Sequence, residues 1–572
     1  MMTPAQIAVS QYLVERGLAY VNRRRETLRF RGNLMCLFGD VPVEITISDW
    51  DFIRYPHIRV IERPACLDGV QAHLSALNGL CYFTPGSVLL NRHDPVAAVG
   101  QCLAQATVVL NELARDSTYR QGEFIREYLA NWDAGQQPPP IPVVKGSIAD
   151  KTTHMNVTFA EGGEFPFAMF GDDVDQLRSI VVSTGRTLRD RGNNSGWVFH
   201  TDRWPPMSEA FPRTVYDLFT WAKAWDPNMY QALQDRLGYD RAYLNMPILF
   251  LMIRSPAGWL GLTFDLGDRS QRILGMRKAT NYRQRLHRHS REITVTRLSV
   301  LDWSPEFVYA RNLGLEQKNL FGKRITLIGG GAIGSHVAKA LVQMGAGQGK
   351  HGRLRIVDHD TMEGGNVSRN LLGYPSLFKF KATELVAELR RLHPTANVEE
   401  EVGDVLKVDA LFRDDLVIDA TGEEALSEAI NVRHLTAGVS ACPVLYVRIY
   451  GQGDAVQALW VDSGRKGACF ACLRKNDPQS QREPRFRIGK TDEPQWVMRG
   501  CQAVTPYAVS APMHAAAMAS EMVADWLQGN VSPRLRFLER PNADVIHNKN
   551  QNPEPLPHCP VCSSPIQASK VG

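Results

Sequence analysis

Cysteine is scarce in this chain, and long basic runs are absent. Ten cysteines in 572 residues are too few for a disulfide scaffold, which favours a reduced, cytoplasmic protein. The net charge of +5 is small for this length and predicts no nucleic-acid partner. No apolar stretch approaches the roughly 20 residues of a membrane helix, and the N-terminus lacks the pattern of a signal peptide. We therefore expect no membrane partner.

The length predicts several domains, because one hydrophobic core does not extend over 572 residues. The apolar fraction of 44% and the charged fraction of 22% are ordinary for a globular protein. Residues 134–142 contain three consecutive prolines, which fit an extended linker better than a helix or a central strand. We predict a multidomain chain with an N-terminal α+β domain at 1–137, an α+β linker domain at 138–300 and a C-terminal α/β domain at 301–572.

Local patterns predict the secondary structure of these domains. In the first, Gly39 and Asp40 form the turn between two strands, and Asp94 and Pro95 open a helix to about residue 115. The linker domain has no catalytic constellation. The third domain alternates strands and helices, which indicates a parallel, doubly wound, Rossmann-like sheet. The predicted strands are 28–36, 41–48, 156–159, 180–183, 247–253, 324–328, 353–357 and 416–418, and the other predicted helices are 214–222, 229–237, 335–344 and 507–527.

A glycine-rich loop follows the first strand of the third domain and opens a helix. Gly329, Gly331 and Gly334 have the Gly-x-Gly-x-x-Gly spacing that lets phosphate approach a helix N-terminus. Asp358 ends the next strand, 24 residues past Gly334, and suits a ribose hydroxyl. By themselves these residues are as typical of an NAD-dependent oxidoreductase as of an ATP-binding protein.

The residues after Asp358 favour ATP. Asp360 and Asn366 are followed by Arg369 and Lys381, which bring positive charge near the end of the second strand. A dinucleotide oxidoreductase does not need these cations, whereas a triphosphate does. Cations on the α-phosphate would also stabilise a pentacovalent transition state. Each charge alone is typical of a solvated surface, but the ordered set predicts an ATP site.

Two Cys-x-x-Cys pairs predict a metal site. Cys469 and Cys472 form the first pair, and Cys559 and Cys562 form the second. Four thiolates complete a tetrahedral shell around Zn²⁺. Because such a shell leaves no open coordination position, we expect this zinc to be structural.

Together these motifs, over residues 305–570, resemble the adenylating domain of ubiquitin-activating enzymes and of ThiF/MoeB proteins. The resemblance implies ATP-dependent adenylation of the C-terminal glycine carboxylate of a protein substrate, with Mg²⁺ as a further cofactor. It also implies pairing into a homodimer, with an arginine ahead of the domain, here Arg311, that reaches the ATP of the other subunit.

One departure from the family concerns magnesium. The family has Asp-x-Thr-Asp after a later strand, with the last Asp near the ion, whereas this chain reads Asp419-Ala420-Thr421-Gly422-Glu423. We predict that Asp419 takes the magnesium role, with Glu423 as the alternative.

Cys501 follows a polar, proline-rich stretch at 477–494 and precedes the helix predicted at 507–527. The resemblance implies a thioester cysteine at this position. A thiol near a helix N-terminus ionises more easily, because the helix end favours the thiolate. The local sequence alone favours the other interpretation, a small buried cysteine.

The N-terminal domain resembles ubiquitin-conjugating domains in its order of Tyr55-Pro56-His57-Ile58, His73, Asn78-Gly79-Leu80-Cys81 and a helix after a proline. The resemblance implies that Cys81 is a second nucleophile. His73 lies eight residues before Cys81, where the family has an asparagine that polarises the thioester carbonyl. A hydrogen-bonded surface histidine is the other interpretation of His73.

The order of domains resembles the fused activating and conjugating enzyme of bacterial anti-phage (CBASS) operons. The resemblance implies a thioester relay from Cys501 to Cys81 and conjugation to a lysine amine of a target protein. The substrate it implies is a cGAS-like nucleotidyltransferase or a ubiquitin-like protein. Two alternatives stay open: a ThiF/MoeB-like adenylyltransferase that activates a sulfur carrier without Cys81, and a degenerate binding module, which the missing carboxylate at Gly422 supports.

Overall fold

The computed structural model divides into two compact units, Met1–Leu177 with Gly185–Asp302 and Arg178–Thr184 with Trp303–Gly572. The division into three domains stays a prediction. The structure describes residues 2–75, 77–132, 136, 141–189, 195–206, 210–246, 248–266, 279–464, 467–475, 483–490, 497–499 and 502–563.

The first unit begins with a five-stranded antiparallel sheet and three helices. These elements are α1 (Pro4–Glu15), β1 (Ala19–Arg24), β2 (Thr27–Cys36), β3 (Gly39–Ile47), β4 (His57–Val60), β5 (Gly79–Leu80), α2 (Pro95–Arg115) and α3 (Ser117–Trp132). The strands are paired in chain order, β1-β2-β3-β4-β5. Helix α1 begins at a capping box, in which Thr3 and Gln6 bond each other's backbone.

The predicted turn between β2 and β3 is wrong by two residues. Cys36 pairs with Gly39, so the turn consists of Leu37 and Phe38. Gly39 instead opens β3 with a φ of +127°, a conformation that glycine adopts without a steric penalty. Gly39, which the sequence pattern placed in the turn, is therefore the first residue of β3.

The predicted start of α2 is confirmed. The Asp94 carboxylate accepts a hydrogen bond from the Ala97 N–H at 3.0 Å, and Pro95 is the first helical residue. In the described part of the chain α2 is long and apolar enough to cross a membrane, which the sequence analysis did not expect. Its apolar side chains, Cys102 and Leu110 among them, belong to the core that α2 forms with α1 and the sheet.

A nine-stranded mixed sheet occupies the rest of the first unit. Its strands are β6 (Val143–Lys145), β7 (His154–Glu161), β8 (Phe167–Phe170), β9 (Thr187–Arg189), β10 (Ser195–His200), β11 (Ile248–Ser255), β12 (Gly258–Asp265), β13 (Val295–Leu298) and β14 (Val300–Asp302). The order is β13-β12-β11-β10-β7-β8-β6-β14, and β9 pairs with β7. Helix α4 (Val174–Ser183) begins in this unit, and its residues from Arg178 onward belong to the second unit. The other helices of this segment are α5 (Val215–Trp225), α6 (Pro227–Tyr239) and α7 (Ala279–Arg288).

The helix predictions for this segment are confirmed, and one strand prediction is wrong. Thr214 caps α5 in a capping box with Asp217. The predicted strand at 180–183 lies instead in α4. Its β-branched residues favour a strand, but Leu177 and Val181 are both buried and lie four residues apart, which is the helical spacing.

Helix α3 buries its apolar stripe in the core of this second sheet. Phe124, Tyr128 and Trp132 follow one another at four-residue spacing and are all buried with side chains of β10 to β13, α5, α6 and α7. The Trp132 indole N–H donates a hydrogen bond to the Gly261 carbonyl at 3.1 Å. The same helix therefore belongs to the core of the nine-stranded sheet, although it follows the first sheet in sequence.

The second unit contains the doubly wound sheet that the sequence predicted. Its strands are β15 (Arg324–Ile328), β16 (Arg353–Val357), β17 (Val398–Glu401), β18 (Leu416–Asp419), β19 (Val444–Tyr450), β20 (Ala455–Val461) and β23 (Leu535–Glu539), with a separate hairpin of β21 (Val497–Arg499) and β22 (Gln502–Val504). The helices are α8 (Pro305–Val308), α9 (Ala332–Gln343), α10 (Lys381–Leu392), α11 (Glu424–Thr436) and α12 (Ser510–Leu527).

The order of this sheet is β17-β16-β15-β18-β19-β20-β23. The first five strands are parallel, and β20 and β23 are antiparallel. The order reverses between β15 and β18, and ligands of such sheets bind at the carboxyl ends of the strands next to this point. Helix α9 begins at Ala332, three residues before the predicted start, because Gly331 is its N-cap.

Candidate functional site

A cavity of about 460 Å³ lies at the carboxyl ends of β15, β16 and β18. It occupies the point where the strand order reverses, as the fold predicts for a nucleotide. Most of the residues of the predicted ATP site lie in its wall. These are Gly329, Gly331, Asp358, Asp360, Asn366, Arg369 and Lys381. The wall also contains Glu423, the alternative magnesium carboxylate, and four residues that the sequence analysis did not assign to the ATP site: Thr421, Tyr450, Thr505 and Tyr507.

The glycine loop has physical reasons for its glycines. Gly329 has a φ of +93°, and a Cβ there would lie 3.2 Å from the Thr421 backbone nitrogen. A Cβ on Gly334 would lie 1.8 Å from the Gly329 carbonyl oxygen, so only glycine lets α9 begin this close to the loop. Gly331 provides no side-chain cap for α9. The first N–H groups of the helix are therefore available to an anion.

The acidic residues after β16 support the loop and one of the cations. The Asp358 carboxylate accepts hydrogen bonds from the Gly330 N–H at 2.5 Å and the Asp360 N–H at 2.7 Å. The Lys381 ammonium lies 2.8 Å from the Asp360 carboxylate, and Lys381 is only 8% exposed. A buried ammonium is stable here because this carboxylate faces it.

The second cation lies against the other wall residues. The Arg369 guanidinium lies 4.9 Å from the centre of the Tyr507 ring and 3.5 Å from the Thr505 carbonyl. Burial raises the pKa of Tyr507, so this ring stays neutral beside the arginine. The cavity thus combines two cations, two aspartates and an uncapped helix N-terminus, which is a set of groups that suits a polyphosphate.

The structure does not bring Asp419 into the cavity wall. Its carboxylate is 1% exposed and accepts hydrogen bonds from the Thr421 hydroxyl at 2.8 Å and the Ser427 hydroxyl at 2.5 Å. Burial raises its pKa. Glu423, the alternative, does line the cavity. Gly422 has a φ of +71°, which glycine adopts more readily than aspartate. The local backbone conformation therefore explains why glycine stands where the family has aspartate.

Arg311 and Gly334 also lie outside the wall of this cavity. Gly334 lies in the first turn of α9. Arg311 follows α8, and its guanidinium lies 5.9 Å from the centre of the Phe307 ring. The structure therefore does not bring Arg311 to the nucleotide cavity of its own chain.

The two cysteine pairs meet in one cluster. The sulfur of Cys469 lies 3.8 Å from that of Cys472 and 3.7 Å from that of Cys559, and the sulfurs of Cys472 and Cys562 lie 3.4 Å apart. All four lie within 4.8 Å of one another. Zinc–sulfur bonds of about 2.3 Å place the sulfurs of a tetrahedral site about 3.8 Å apart. The cluster therefore has the composition and the spacing of a zinc site.

The cysteine cluster packs against α11, whose N-cap lines the cavity. The Phe470 N–H donates a hydrogen bond to the Asn431 side chain at 3.2 Å. Arg474, just after the first pair, forms an ion pair with Glu424 in the first turn of α11. Glu423 is the N-cap of α11. The cluster and the cavity are therefore linked through this helix.

In the first unit, Cys81 and His73 are neighbours. The Cys81 N–H donates a hydrogen bond to the His73 carbonyl at 2.8 Å, and Cys81 is exposed. Interactions with the Cys81 side chain and with Glu127 raise the pKa of His73 to about 10. The structure thus brings these two predicted residues together. Cys501 lies outside the described residues.

The sequence analysis missed the acidic partners of His73. Glu123 and Glu127 lie on α3, about 50 residues after His73, and their carboxylates approach its ring at 3.3 and 2.8 Å. Their four-residue spacing puts both on one face of a helix. This spacing was the available signal, but nothing in the sequence connects it to His73.

This chain is similar to several known proteins. Residues 305–561 match the ThiF family. A Pseudomonas aeruginosa protein described as ATP-dependent ubiquitin transferase-like protein Cap2 is 30% identical over 99% of this chain and 100% of its own. The Escherichia coli protein of the same description is 22% identical over 92% of each chain. The structure of E. coli MccB with ATP aligns with 44% of this chain and 68% of its own, at 16% identity and a TM-score of 0.32.

The second unit is therefore a ThiF-type adenylating domain with a Rossmann-like α/β fold, and the chain is an enzyme of the ubiquitin-activating type. The similarity extends well beyond this domain. Over its whole length, the chain belongs to the Cap2 family of ATP-dependent ubiquitin transferase-like proteins.

Proposed function

We propose that this enzyme uses ATP to adenylate the C-terminal glycine of a protein, relays the acyl group from Cys501 to Cys81, and conjugates it to a lysine amine of a target. The observation that carries the proposal is the nucleotide cavity. It combines Arg369, Lys381 and the uncapped N-terminus of α9 at the carboxyl ends of parallel strands. A dinucleotide oxidoreductase has no need of two cations at this position.

In the first step, the substrate carboxylate attacks the α-phosphorus of ATP. The new bond is a carboxyl–phosphate anhydride, and the bond to the bridging oxygen breaks, so that pyrophosphate leaves. The N–H groups of α9, Arg369 and Lys381 neutralise the charge that develops on the phosphates. Asp358, which already accepts two backbone hydrogen bonds, accepts a third from the ribose.

Mg²⁺ would be held by carboxylates of the cavity wall. Asp360 and Glu423 both line the cavity, and Mg²⁺ prefers one or two carboxylates together with phosphate oxygens. We assign this role to Glu423 in place of Asp419, because the oxygens of Asp419 are already used by Thr421 and Ser427. When bound, the ion neutralises part of the charge of the triphosphate.

Zn²⁺ would be held by Cys469, Cys472, Cys559 and Cys562, whose sulfur spacing fits a tetrahedral shell. With four protein ligands the ion has a structural role only. The Leu556 N–H points at the Cys472 sulfur at 3.4 Å, which is the kind of outer contact that stabilises a metal-bound thiolate.

The later steps need no further ATP. The Cys501 sulfur attacks the acyl-adenylate, AMP leaves, and a thioester forms. Cys81 then takes the acyl group, and a target lysine finally attacks the Cys81 thioester to form an isopeptide bond. Acyl transfer between thiols is nearly isoenergetic, so it needs proximity of the two cysteines and no further energy source. Placement of both cysteines in one chain provides this proximity, because it raises their effective concentration.

The partners we propose come from the resemblance to the fused anti-phage enzyme. The substrate we propose is a cGAS-like nucleotidyltransferase with a C-terminal glycine, in anti-phage defence, with a ubiquitin-like protein as the other candidate. We further propose a homodimer in which Arg311 reaches the ATP of the second copy. Arg311 does not line the cavity of its own chain, which is compatible with this role.

A non-reducing gel with ATP and a cGAS-like nucleotidyltransferase that ends in glycine tests the relay. Wild-type enzyme should form a thioester adduct that dithiothreitol removes, and Cys81→Ala should stop the acyl group at Cys501. Cys501→Ala should still support pyrophosphate exchange but form no adduct. Full isopeptide product from Cys81→Ala would contradict the relay and leave an adenylyltransferase of the sulfur-carrier type.

A further inference from the structure

Three aromatic side chains are exposed in one short stretch of the second unit, residues 374–380, which we call the aromatic segment and which ends where α10 begins. Tyr374 is 76%, Phe378 87% and Phe380 47% exposed. Phe378 is the most exposed aromatic residue in the part of the chain that the structure describes. The neighbouring Met362 and Leu372 are buried in the core of the doubly wound sheet. The segment is therefore anchored to the core, although its aromatic side chains are not part of it.

Phe378 has a backbone conformation that does not suit its side chain. Its φ is +66°, in the left-handed region that bulky residues rarely adopt and glycine adopts freely. Hydrogen bonds enforce it: the Phe378 N–H donates to the Met362 carbonyl at 2.9 Å, and the Met362 N–H donates to the Lys379 carbonyl at 2.8 Å. Because the ring is so exposed, its burial contributes little that would offset the strain. Strained residues of this kind are typical of functional sites.

The aromatic segment adjoins the wall of the nucleotide cavity. The Lys381 N–H donates a hydrogen bond to the Asp360 carbonyl at 2.9 Å, and both residues line the cavity. The next backbone bonds between the same two stretches of chain join Met362 to Lys379 and Phe378. Three residues of chain span at most about 11 Å, so Phe378 lies within that distance of Lys381. The exposed rings are therefore close to the site where the phosphates are expected.

The chemistry of adenylation determines which molecule comes to lie beside this cavity. The attacking carboxylate belongs to the last residue of a protein, so the tail of that protein enters the cavity while its folded body stays outside, against the surrounding surface. In the described part of the chain, the other exposed apolar side chains within two residues of the wall are aliphatic and 38–45% exposed: Val402, Leu406 and Val509. The aromatic segment therefore offers the larger apolar surface. Exposed apolar patches mark interaction sites, and aromatic residues are enriched in them.

We propose that Tyr374, Phe378 and Phe380 form a docking surface for the folded body of the protein whose C-terminal carboxylate is adenylated. The matching surface on this donor protein is an apolar patch beside its tail, because aromatic rings gain free energy when they leave water for an apolar contact. The inference rests on the proposed adenylation. It adds the means by which the enzyme selects a folded protein over a free peptide with the same C-terminal residue.

ATP–pyrophosphate exchange separates docking from chemistry. The full-length enzyme would be assayed with a cGAS-like nucleotidyltransferase that ends in glycine, and separately with a synthetic peptide of the C-terminal tail of that protein. Phe378→Gly should raise KM for the protein on the order of tenfold, as loss of one central interface side chain does, and Tyr374→Ala should raise it by less. In both variants kcat should stay unchanged, and so should the exchange supported by the peptide, which has no folded body.

The thermal midpoint is a second readout, with the opposite sign. Because glycine adopts a φ of +66° without a steric penalty, Phe378→Gly should raise the midpoint of the enzyme while it weakens the use of the donor protein. Val439→Ala is the matched control. Val439 is 83% exposed in the same unit and lies in the turn between α11 and β19, outside the cavity wall, so its loss should leave KM for both substrates unchanged.

An unchanged KM for the protein in Phe378→Gly and Tyr374→Ala would overturn the docking surface. An equal loss with the peptide would also overturn it, because the effect would then lie in the cavity, and a lower midpoint together with a higher KM would show that the ring has a structural role. Sedimentation velocity without the donor checks the other occupant: a changed oligomeric state of Phe378→Gly would make the segment a contact between two copies of this chain. Absence of exchange in the wild type with either substrate would contradict adenylation itself, whereas normal wild-type exchange with unchanged variants would contradict the docking surface alone.

Discussion

The nucleotide cavity and the Cys81 centre each hold a poorly exposed cation against carboxylates, but they do so differently. Lys381 faces the single carboxylate of Asp360, at 2.8 Å. His73 faces two carboxylates and is also fixed through its backbone. A cation with one partner can exchange that partner for a phosphate oxygen, whereas a cation with two stays where it is. One site is therefore arranged to receive charge, and the other to keep it.

Loss of the cysteine cluster should have the largest effect of all, because it should abolish ATP binding at the nucleotide cavity and leave the reactivity of Cys81 unchanged. Cys472→Ser removes a ligand from a shell whose binding energy contributes to folding. We expect loss of about one zinc per chain, disorder of the C-terminal region and loss of ATP binding. Alkylation of Cys81 should keep its wild-type rate, because the described core of the first sheet contains no residue of the second unit. Elemental analysis measures the zinc content, ATP–pyrophosphate exchange measures the use of ATP, and iodoacetamide labelling followed by peptide mass spectrometry measures the reactivity of Cys81. A well-folded, zinc-free wild type would disprove the zinc site.

Removal of the phosphate cations should come next. Arg369→Ala and Lys381→Ala should each lower ATP–pyrophosphate exchange on the order of 10²–10³-fold, since each removes a group that stabilises charge in the transition state. Lys379→Ala is the control: this lysine lies two residues from Lys381, is 56% exposed in its side chain and pairs with Glu384. Unchanged exchange in both cavity variants would remove the adenylation proposal.

A smaller effect should distinguish Glu423 from Asp419. Glu423→Gln should raise the Mg²⁺ concentration for half-maximal exchange on the order of tenfold, as loss of a partner at a metal site does. Asp419→Asn should instead lower the thermal midpoint, because it disturbs the bonds to Thr421 and Ser427, and should leave the Mg²⁺ requirement near that of wild type. The reverse pattern would return the magnesium role to Asp419.

The smallest effect concerns stability and pH. The pKa of His73 is raised from 6.5 to about 10 in the folded state, so its contribution is complete below pH 6.5 and is lost as the pH rises towards 10. Urea midpoints at pH 6, 8 and 10 should therefore fall more steeply for wild type than for Glu127→Gln. Parallel slopes would show that Glu127 does not hold the proton on His73.

The two sites also differ in how far the sequence predicted them. Most of the nucleotide cavity was predictable, because Gly329, Asp358 and Lys381 belong to short motifs at strand ends. The strands of the doubly wound sheet were predictable for the same reason. Glu127 was not, because its role depends on packing between α3 and a loop 54 residues away. The position of Asp419 was not predictable for a further reason: the motif marks the acidic segment 419–423, but burial leaves Glu423, and not Asp419, in the cavity wall.

Helix α3 has a practical consequence for anyone who dissects this enzyme. One face holds His73, while Phe124, Tyr128 and Trp132 on another are buried among residues of the nine-stranded sheet. A fragment that ends near residue 137 would keep the carboxylates of Glu123 and Glu127 but expose three large aromatic side chains to solvent. Exposed apolar surface of this kind promotes aggregation. A fragment that ends before α3 would avoid them and leave His73 without its carboxylates. A fragment made to test Cys81 should therefore extend to about residue 302, where the first unit ends.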